Sequence, residues 1–430
     1  MTPGREHGSA IRNLSLKALS LGLERGCRLV VVVVSAPVLG EAAFGRFVFA
    51  STVTAMLALG TDLGLGVWTT RALARTDGEA NGVRIVRVGL ELRALASVPY
   101  ALAIAGAVAL SAPGEPRASM ALLGAAALLY AFLDHFGAIF RGREMFADEA
   151  RLNVTRAILT AAAGLAMLAA RQSLTALCAG LAAANLAGAL YGLAVLGRLR
   201  LIEPRAWQGK VDRALAGAAL RAGLPIWIAG LVSLLYFKVD TLFVRSFCGE
   251  AELGTYGAAY KIFEGAMIVP AVVLAVAFPR LSRAHGDPPA QRALEWRISG
   301  LLVGLGLLAG AACFFGRTML VALLYRRGFA RAEAPLEILA LGLPLVFVNY
   351  GLTHFLLARD RGRVTTWLSA MMLLVTVALD LALIPRYRSP GAAAATALAE
   401  IALTAGCLAA LALERTTSAR RVARRDRRAA

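Results

Sequence analysis

"VLGEAAFGRFVFA" (38–50) and "FCGEAELGTYGAA" (247–259) are close to one phrase written twice. Laid residue on residue with no gap, Gly40 falls on Gly249, Glu41 on Glu250, Ala42 on Ala251, Gly45 on Gly254, Phe47 on Tyr256 and Ala50 on Ala259. Each glycine suits a tight turn. Each following glutamate suits the start of a helix, whose N-terminal end favours negative charge. A looser echo follows: "YAFLDHFGAIFRGR" (130–143) and "NYGLTHFLLARDRGR" (349–363) align with one gap through Tyr130 and Tyr350, His135 and His354, and Gly142 and Gly362. Two echoes in the same order divide the chain into related halves.

The sequence around these echoes sets the solvent. Of 430 residues, 58% are hydrophobic and only 17% charged, too apolar for an ordinary soluble domain. The chain reads as an integral membrane protein, with about twelve apolar runs of the roughly 20 residues needed to cross about 30 Å of hydrocarbon. The glycine-glutamate phrase falls between the first and second helices of each half, and the second echo falls on the fourth. The expected fold is therefore all-α, with two six-helix lobes over 1–200 and 222–413, a polar connector over 201–221 and a basic tail over 414–430. Six is even, so both lobes enter from the same side and their pseudo-twofold axis runs along the membrane normal. Two such lobes rocking about a central cavity describe a transporter, and no soluble catalytic domain is in view.

The net charge of +19 is mostly a topology signal. With the N-terminus placed inside, most Lys and Arg fall on the same side: Arg71, Arg75, Arg84 and Arg87, then Arg141, Arg143, Arg151 and Arg156, then the connector, Arg280, Arg283, Arg292 and Arg297, and Arg359, Arg361 and Arg363. That is a positive-inside pattern with both termini cytoplasmic, and it points away from nucleic acid as the partner. "YRRGFAR" (325–331) breaks the pattern and leaves the 317–333 hairpin the least secure placement. The tail "RTTSARRVARRDRRAA" reads as a disordered end drawn to anionic lipid headgroups. The N-terminal residues carry mixed charge and lead into a full-length span, unlike a cleavable signal.

Metal and cofactor signatures are missing from the sequence. Five cysteines stand singly, and four histidines form no HxxH or HExxH group. No GxxxxGK[ST] loop occurs, so ATP hydrolysis through a P-loop is excluded. "DLGLG" (62–66) lacks the rest of a dinucleotide fingerprint and lies in a membrane run, where its glycines suit close helix packing.

Ionisable residues at membrane depth are costly and normally face a cavity or a partner. Helix 1 carries "LERGCRL", with Glu24 and Arg28 on one face and Arg25 beside them. Helix 7 carries "YFKVDTLF", with Lys238, Asp240 and Tyr236; helix 8 carries "AAYKIFEGA", with Lys261 and Glu264. Helix 2 adds Asp62, helix 4 adds Asp134 and His135, and helix 12 adds Glu400. Two readings stay open for the pairs: internal salt bridges, or cations lining a water-filled cavity. Helices 1, 7 and 8 together have a slight basic excess, which favours an anionic substrate. His135 and His354 read as hydrogen-bonded packing residues, with a proton relay as the alternative.

"SAPVLGEAAFGRFVFAST", "GTDLGLGVWTTRALAR", "YFKVDTLFV", "GTYGAAYKIFE", "AFPRLSRA" and "IPRYRSPGAAAATALAE" come in an order and at spacings that resemble the polysaccharide transporters of the multidrug/oligosaccharidyl-lipid/polysaccharide (MOP) flippase superfamily, nearest to the Wzx-type O-antigen and exopolysaccharide repeat-unit flippases. The resemblance implies a bacterial inner-membrane protein without cofactor or enzyme activity. It would move an undecaprenyl-pyrophosphate-linked oligosaccharide to the outer leaflet by alternating access, in partnership with polysaccharide polymerase and chain-length machinery. It implies that Arg25 or Arg28, Lys238 and Lys261 are cavity cations facing the pyrophosphate. Asp240 is then the acidic member of the helix 7 motif, and Glu24, Asp62, Asp134 and Glu264 are the remaining cavity acids, available for ion coupling. Related lipid II flippases usually have fourteen helices, and no thirteenth or fourteenth is evident here. A cation- or proton-coupled drug antiporter of the same superfamily would instead carry dominant acids in its cavity. A membrane-embedded sugar polymerase or ligase would display a long external loop, and the outside loops here are short, the longest being the 317–333 segment.

Overall fold

The computed structural model describes residues 3–76, 78–110, 117–202, 212–284 and 287–429, without the side chains of 3–19, 21, 288, 326–327 and 414–429. Every element among them is helical. A chain in hydrocarbon must satisfy its backbone polar groups internally, and a helix does so within each segment. Two compact units result, Met1–Leu234 and Leu235–Ala430.

The first unit contains α1 (Pro3–Leu59), α2 (Leu65–Ala74), α3 (Glu79–Ala109), α4 (Arg117–Gly142), α5 (Phe146–Arg171), α6 (Leu174–Arg198) and the beginning of α7 (Arg213–Cys248). The second continues from α7 into α8 (Glu250–Ala266), α9 (Ile268–Arg283), α10 (Pro288–Tyr325), a 3-10 turn (Arg326–Ala332), α11 (Glu333–Ala358) and α12 (Gly362–Ala429). Ten helical stretches among the described residues are long and apolar enough to cross a membrane. Two of them, Gly22–Leu59 and Gly362–Leu413, are interrupted, by Gly40 and by Arg388, which accounts for the count of about twelve runs.

The opening phrase is repeated in three dimensions. Gly40 has φ 75° and ψ 169°; Gly249 has φ 86° and ψ −176°. A side chain is strained in this region, so glycine at each position lets the helix be redirected without a loop. Glu250 then occupies the first turn of α8, where the helix dipole favours it. In α12 the break is made by Arg388, at φ 57° between Pro385 and Pro390, within the "IPRYRSPG" turn.

The boundary between units falls inside α7 and not in the 201–221 connector, because the start of α7 packs on the first unit. Gly64, with φ 75°, meets Gly223 so closely that an added Cβ would lie 2.1 Å from the Gly223 carbonyl oxygen. Nearby, Trp227 Nε1 donates to the Leu59 carbonyl at 2.8 Å. The glycines of "DLGLG" thus serve helix packing. Of the connector, 203–211 lies outside the described residues; at its end Asp212 accepts the Leu215 N–H at 3.0 Å and pairs with Arg84 of α3.

Three expectations are adjusted. The short 317–333 loop is shorter still: α10 runs on to Tyr325 and a seven-residue 3-10 turn leads directly into α11. Tyr325 is buried and donates to the Ala258 carbonyl at 3.1 Å, which anchors this end. The 414–430 tail continues α12 as helix to Ala429, in keeping with the helix propensity of its Arg and Ala residues. Arg156, counted among the loop cations, lies within α5 and is buried. The charges of Arg5, Arg12, Lys17, Arg326, Arg327 and the tail lie outside the described side chains.

Candidate functional site

Within the first unit, residues of α1, α3, α4, α5, α6 and α7, with Asp62 between α1 and α2, line a cavity of about 510 Å³. Its wall is largely apolar, with Val31, Val32, Phe47, Leu59, Leu123 and Leu181. Into it project Glu24, Arg28, Asp62, Arg93, Tyr130, Asp134 and Arg156. Three guanidinium groups and three carboxylates give it no formal excess of either sign.

Glu24 is the hub of one end. One of its oxygens accepts from Arg28 at 2.6 Å and the other from Arg156 at 2.8 Å. The Tyr130 hydroxyl donates to the first oxygen at 3.3 Å, and the Arg156 guanidinium lies 4.3 Å above the Tyr130 ring. The spacing of Glu24 and Arg28 puts them on one face of α1, and α4 and α5 supply the other members. At the other end Asp62 accepts the N–H groups of Gly64 at 3.1 Å and Gly66 at 3.3 Å, capping α2. It also pairs with Arg93 of α3, which donates to the Ala131 carbonyl as well. Arg93 is 1% exposed, so this pair belongs to the framework that holds α2, α3 and α4 together. Asp134 lines the cavity and is exposed there, within electrostatic reach of Arg93.

The second unit has its own charged cluster. Glu264 of α8 accepts from Lys238 of α7 through one oxygen and from Lys261 at 2.6 Å through the other. Lys238 Nζ lies 4.7 Å from the centre of the Tyr260 ring. Lys238, Lys261 and Glu264 all keep partial exposure. Deeper in this unit, Asp240 is buried and accepts from the Tyr256 hydroxyl and, at 2.7 Å, from the Thr241 N–H. Glu400 is buried too, between the Tyr236 hydroxyl at 2.9 Å and Asn349 Nδ2 at 2.6 Å. Asp380 is wholly buried, with no hydrogen-bond partner on either carboxylate oxygen among the described residues.

The candidate residues therefore separate into several settings. Glu24, Arg28, Asp62 and Asp134 share the first cavity, whereas Arg25 is exposed and does not line it. Lys238, Lys261 and Glu264 come together in the second unit. Asp240 does not pair with Lys238 two residues away; it points into the core of its unit, as successive positions on a helix diverge. His354 is held as a packing residue, its Nδ1 2.7 Å from the Tyr350 carbonyl and its ring stacked on that tyrosine. His135, by contrast, is wholly buried with neither nitrogen hydrogen-bonded among the described residues, so the expected hydrogen bond is absent.

Arg93, Arg156 and Asp380 are further ionisable residues at membrane depth, absent as such from the sequence-based expectations. Asp380 stands in an otherwise apolar run, which is the signal that marks it, while Arg93 is masked by Arg87 and Glu91 close by. Arg156 carried the same signal, hidden by its closeness to the basic loop before α5.

Comparison with solved structures finds this many-helix fold among transporters of the multidrug/oligosaccharidyl-lipid/polysaccharide (MOP) superfamily. The chain is similar to an inward-facing multidrug resistance MATE family transporter of the MOP superfamily, with TM-score 0.73, 16% identity and coverage of 93% of this chain and 99% of that one. It is also similar to a MOP superfamily transporter from Pyrococcus furiosus, described as having a binding pocket of reversed polarity that suggests a different function (TM-score 0.66, 15% identity, 95% of each chain). A MATE transporter from Vibrio cholerae is a third (TM-score 0.56, 16% identity, 93% of this chain and 98% of that one). At these identities the likeness establishes the fold. No curated protein matches the chain. Residues 10–285, more than half of the chain, match the polysaccharide biosynthesis protein family, and the chain belongs to that family.

Proposed function

We propose that this protein flips lipid-linked oligosaccharides, carried on undecaprenyl pyrophosphate, from the cytoplasmic to the outer leaflet of a bacterial inner membrane. The observation that carries the reading is the first unit's cavity, where apolar walls meet the Arg28 and Arg156 guanidinium groups, in a chain of a polysaccharide biosynthesis family. Guanidinium groups match phosphate oxygens in geometry and charge. The prenyl tail stays in lipid while the headgroup crosses by alternating access, with both termini cytoplasmic and no bond made or broken. Moving negative charge outward runs down an inside-negative potential, about 2.3 kcal/mol per charge per 100 mV, so two charges gain roughly 5 kcal/mol without ATP.

The test is transport of a fluorescent polyprenyl-pyrophosphate oligosaccharide in proteoliposomes under an imposed potential. Wild type is expected to flip it, and Arg28→Ala, Lys238→Ala and Lys261→Ala to lose most of the rate with folding intact. A second reading, cation- or proton-coupled drug export, draws on the MATE likeness and on the buried carboxylates Asp240, Asp380 and Glu400. Export of a cationic dye against a proton gradient, with no lipid movement, would replace the first reading by the second.

A further inference from the structure

Each unit holds a carboxylate clamped between two cations, one of them set against a tyrosine ring. Glu24 gives one oxygen to Arg28 and the other to Arg156, which lies over Tyr130. Glu264 gives one oxygen to Lys238, which lies over Tyr260, and the other to Lys261. We propose that Glu24 and Glu264 are displaceable internal anions, which occupy two-cation seats in the empty protein and yield them to a phosphate group of the ligand. The inference rests on the pyrophosphate-linked reading above and says how the same cations distinguish that ligand.

The physical case begins with cost. Cations left bare at membrane depth are unfavourable, and an internal carboxylate removes that penalty while the seat is empty. Two oxygens on one planar centre, each accepting from a different cation, are the contacts two phosphate oxygens would make. Accessibility separates these carboxylates from the enclosed acids of the second unit. Glu24 and Glu264 keep 12% and 32% exposure, and Arg28, at 61%, opens to the cavity. Asp240 and Glu400, by contrast, are enclosed and bonded to tyrosine hydroxyls. A competitor already in place also sets a threshold: a singly charged ligand gains little over the glutamate it displaces, while a pyrophosphate, with more charge and more oxygens, gains enough to enter. Selectivity for a polyvalent headgroup then follows from a cavity whose formal charge is balanced.

The experiment measures calorimetric binding of farnesyl pyrophosphate and, separately, inorganic pyrophosphate to the purified full chain, in wild type, Glu24→Gln and Glu264→Gln. Each Gln variant is expected to bind farnesyl pyrophosphate about tenfold more tightly, equivalent to about 1.4 kcal/mol. Adding Arg28→Ala to the first, or Lys238→Ala to the second, should cancel the gain. If Glu24→Gln does not fold, Glu24→Asp keeps the charge but shortens its reach, and tighter binding is again the expected result. Wild-type binding that the Gln variants leave unchanged or weaken overturns the displacement idea and leaves the flippase reading standing. Absence of binding of either probe by folded wild type and Gln variants overturns both. Equal tightening for the two probes supports displacement while assigning the seats to free phosphates and not to a lipid headgroup.

Discussion

The two units build the same corner and use it for different electrostatics. Gly40 and Gly249 bend their helices through nearly the same backbone angles, yet the first unit gathers ionisable residues around an open cavity while the second buries Asp240, Asp380 and Glu400, along with Glu252 and Glu295. The paired histidines diverge in the same way: His354 bonds to the Tyr350 carbonyl, and His135 lies among Arg93, Thr69 and Gly89 without a hydrogen-bond partner among the described residues. A repeat thus preserves backbone geometry more strictly than charge placement. Backbone angles are tied to one residue type, whereas a carboxylate needs only some partner within reach.

The comparison is tested most severely at the Asp62 and Arg93 pair, the framework ion pair of the first unit. Asp62→Ala leaves a buried guanidinium without its charge partner and uncaps α2. The expected loss is about 3–5 kcal/mol, read as a large fall in melting temperature in detergent. Adding Arg93→Met should recover much of it. An unchanged melting temperature for Asp62→Ala would move this pair from framework to ligand site.

The glycines give the next effect. Gly40→Ala and Gly249→Ala have open space around the added methyl, so each should cost only backbone strain, about 1–3 kcal/mol, and the two costs should be alike. Gly64→Ala adds a clash with Gly223 to the same strain and should cost about 3 kcal/mol or more. Unequal results for Gly40 and Gly249 would break the equivalence of the two corners.

Two tyrosines sharpen the contrast between open and enclosed carboxylates. Tyr256→Phe removes a donor from buried Asp240 and is expected to cost about 1–3 kcal/mol, while Tyr130→Phe removes a longer bond to Glu24 at the cavity and should cost about 0.5 kcal/mol. Thermal unfolding of both variants decides whether burial sets the difference. The smallest effect is expected at Asp212, outside the membrane, whose carboxyl is held below its ordinary pKa by the Leu215 backbone N–H, aided by Arg84. A lowered folded pKa means stability that is present above the ordinary carboxylate value and lost as pH falls through the folded one. Asp212→Asn should therefore melt slightly below wild type at neutral pH and together with it in strong acid.

Much of this arrangement is legible in the residues. The glycine-glutamate phrase locates both corners, and the spacing of Glu24 with Arg28 and of Lys261 with Glu264 marks two ion pairs that form. Those are contacts within one helix, which helical periodicity places directly. The third member of each cluster was out of reach in the same way: Arg156 reaches Glu24 from α5, and Lys238 reaches Glu264 from α7. Lys238 also sits two residues from Asp240, and only the rotation of α7 shows that they serve different surroundings.

Apolar run lengths, glycine positions and local charge spacing determined the solvent, the helices and where they bend, because those properties act over a few residues. Which arginine closes on Glu24, which carboxylates are enclosed and which unit carries the start of α7 were decided by tertiary packing. Those outcomes depend on how helices far apart in the chain are rotated against one another, and that rotation is fixed by contacts such as Gly64 on Gly223 and Trp227 on Leu59.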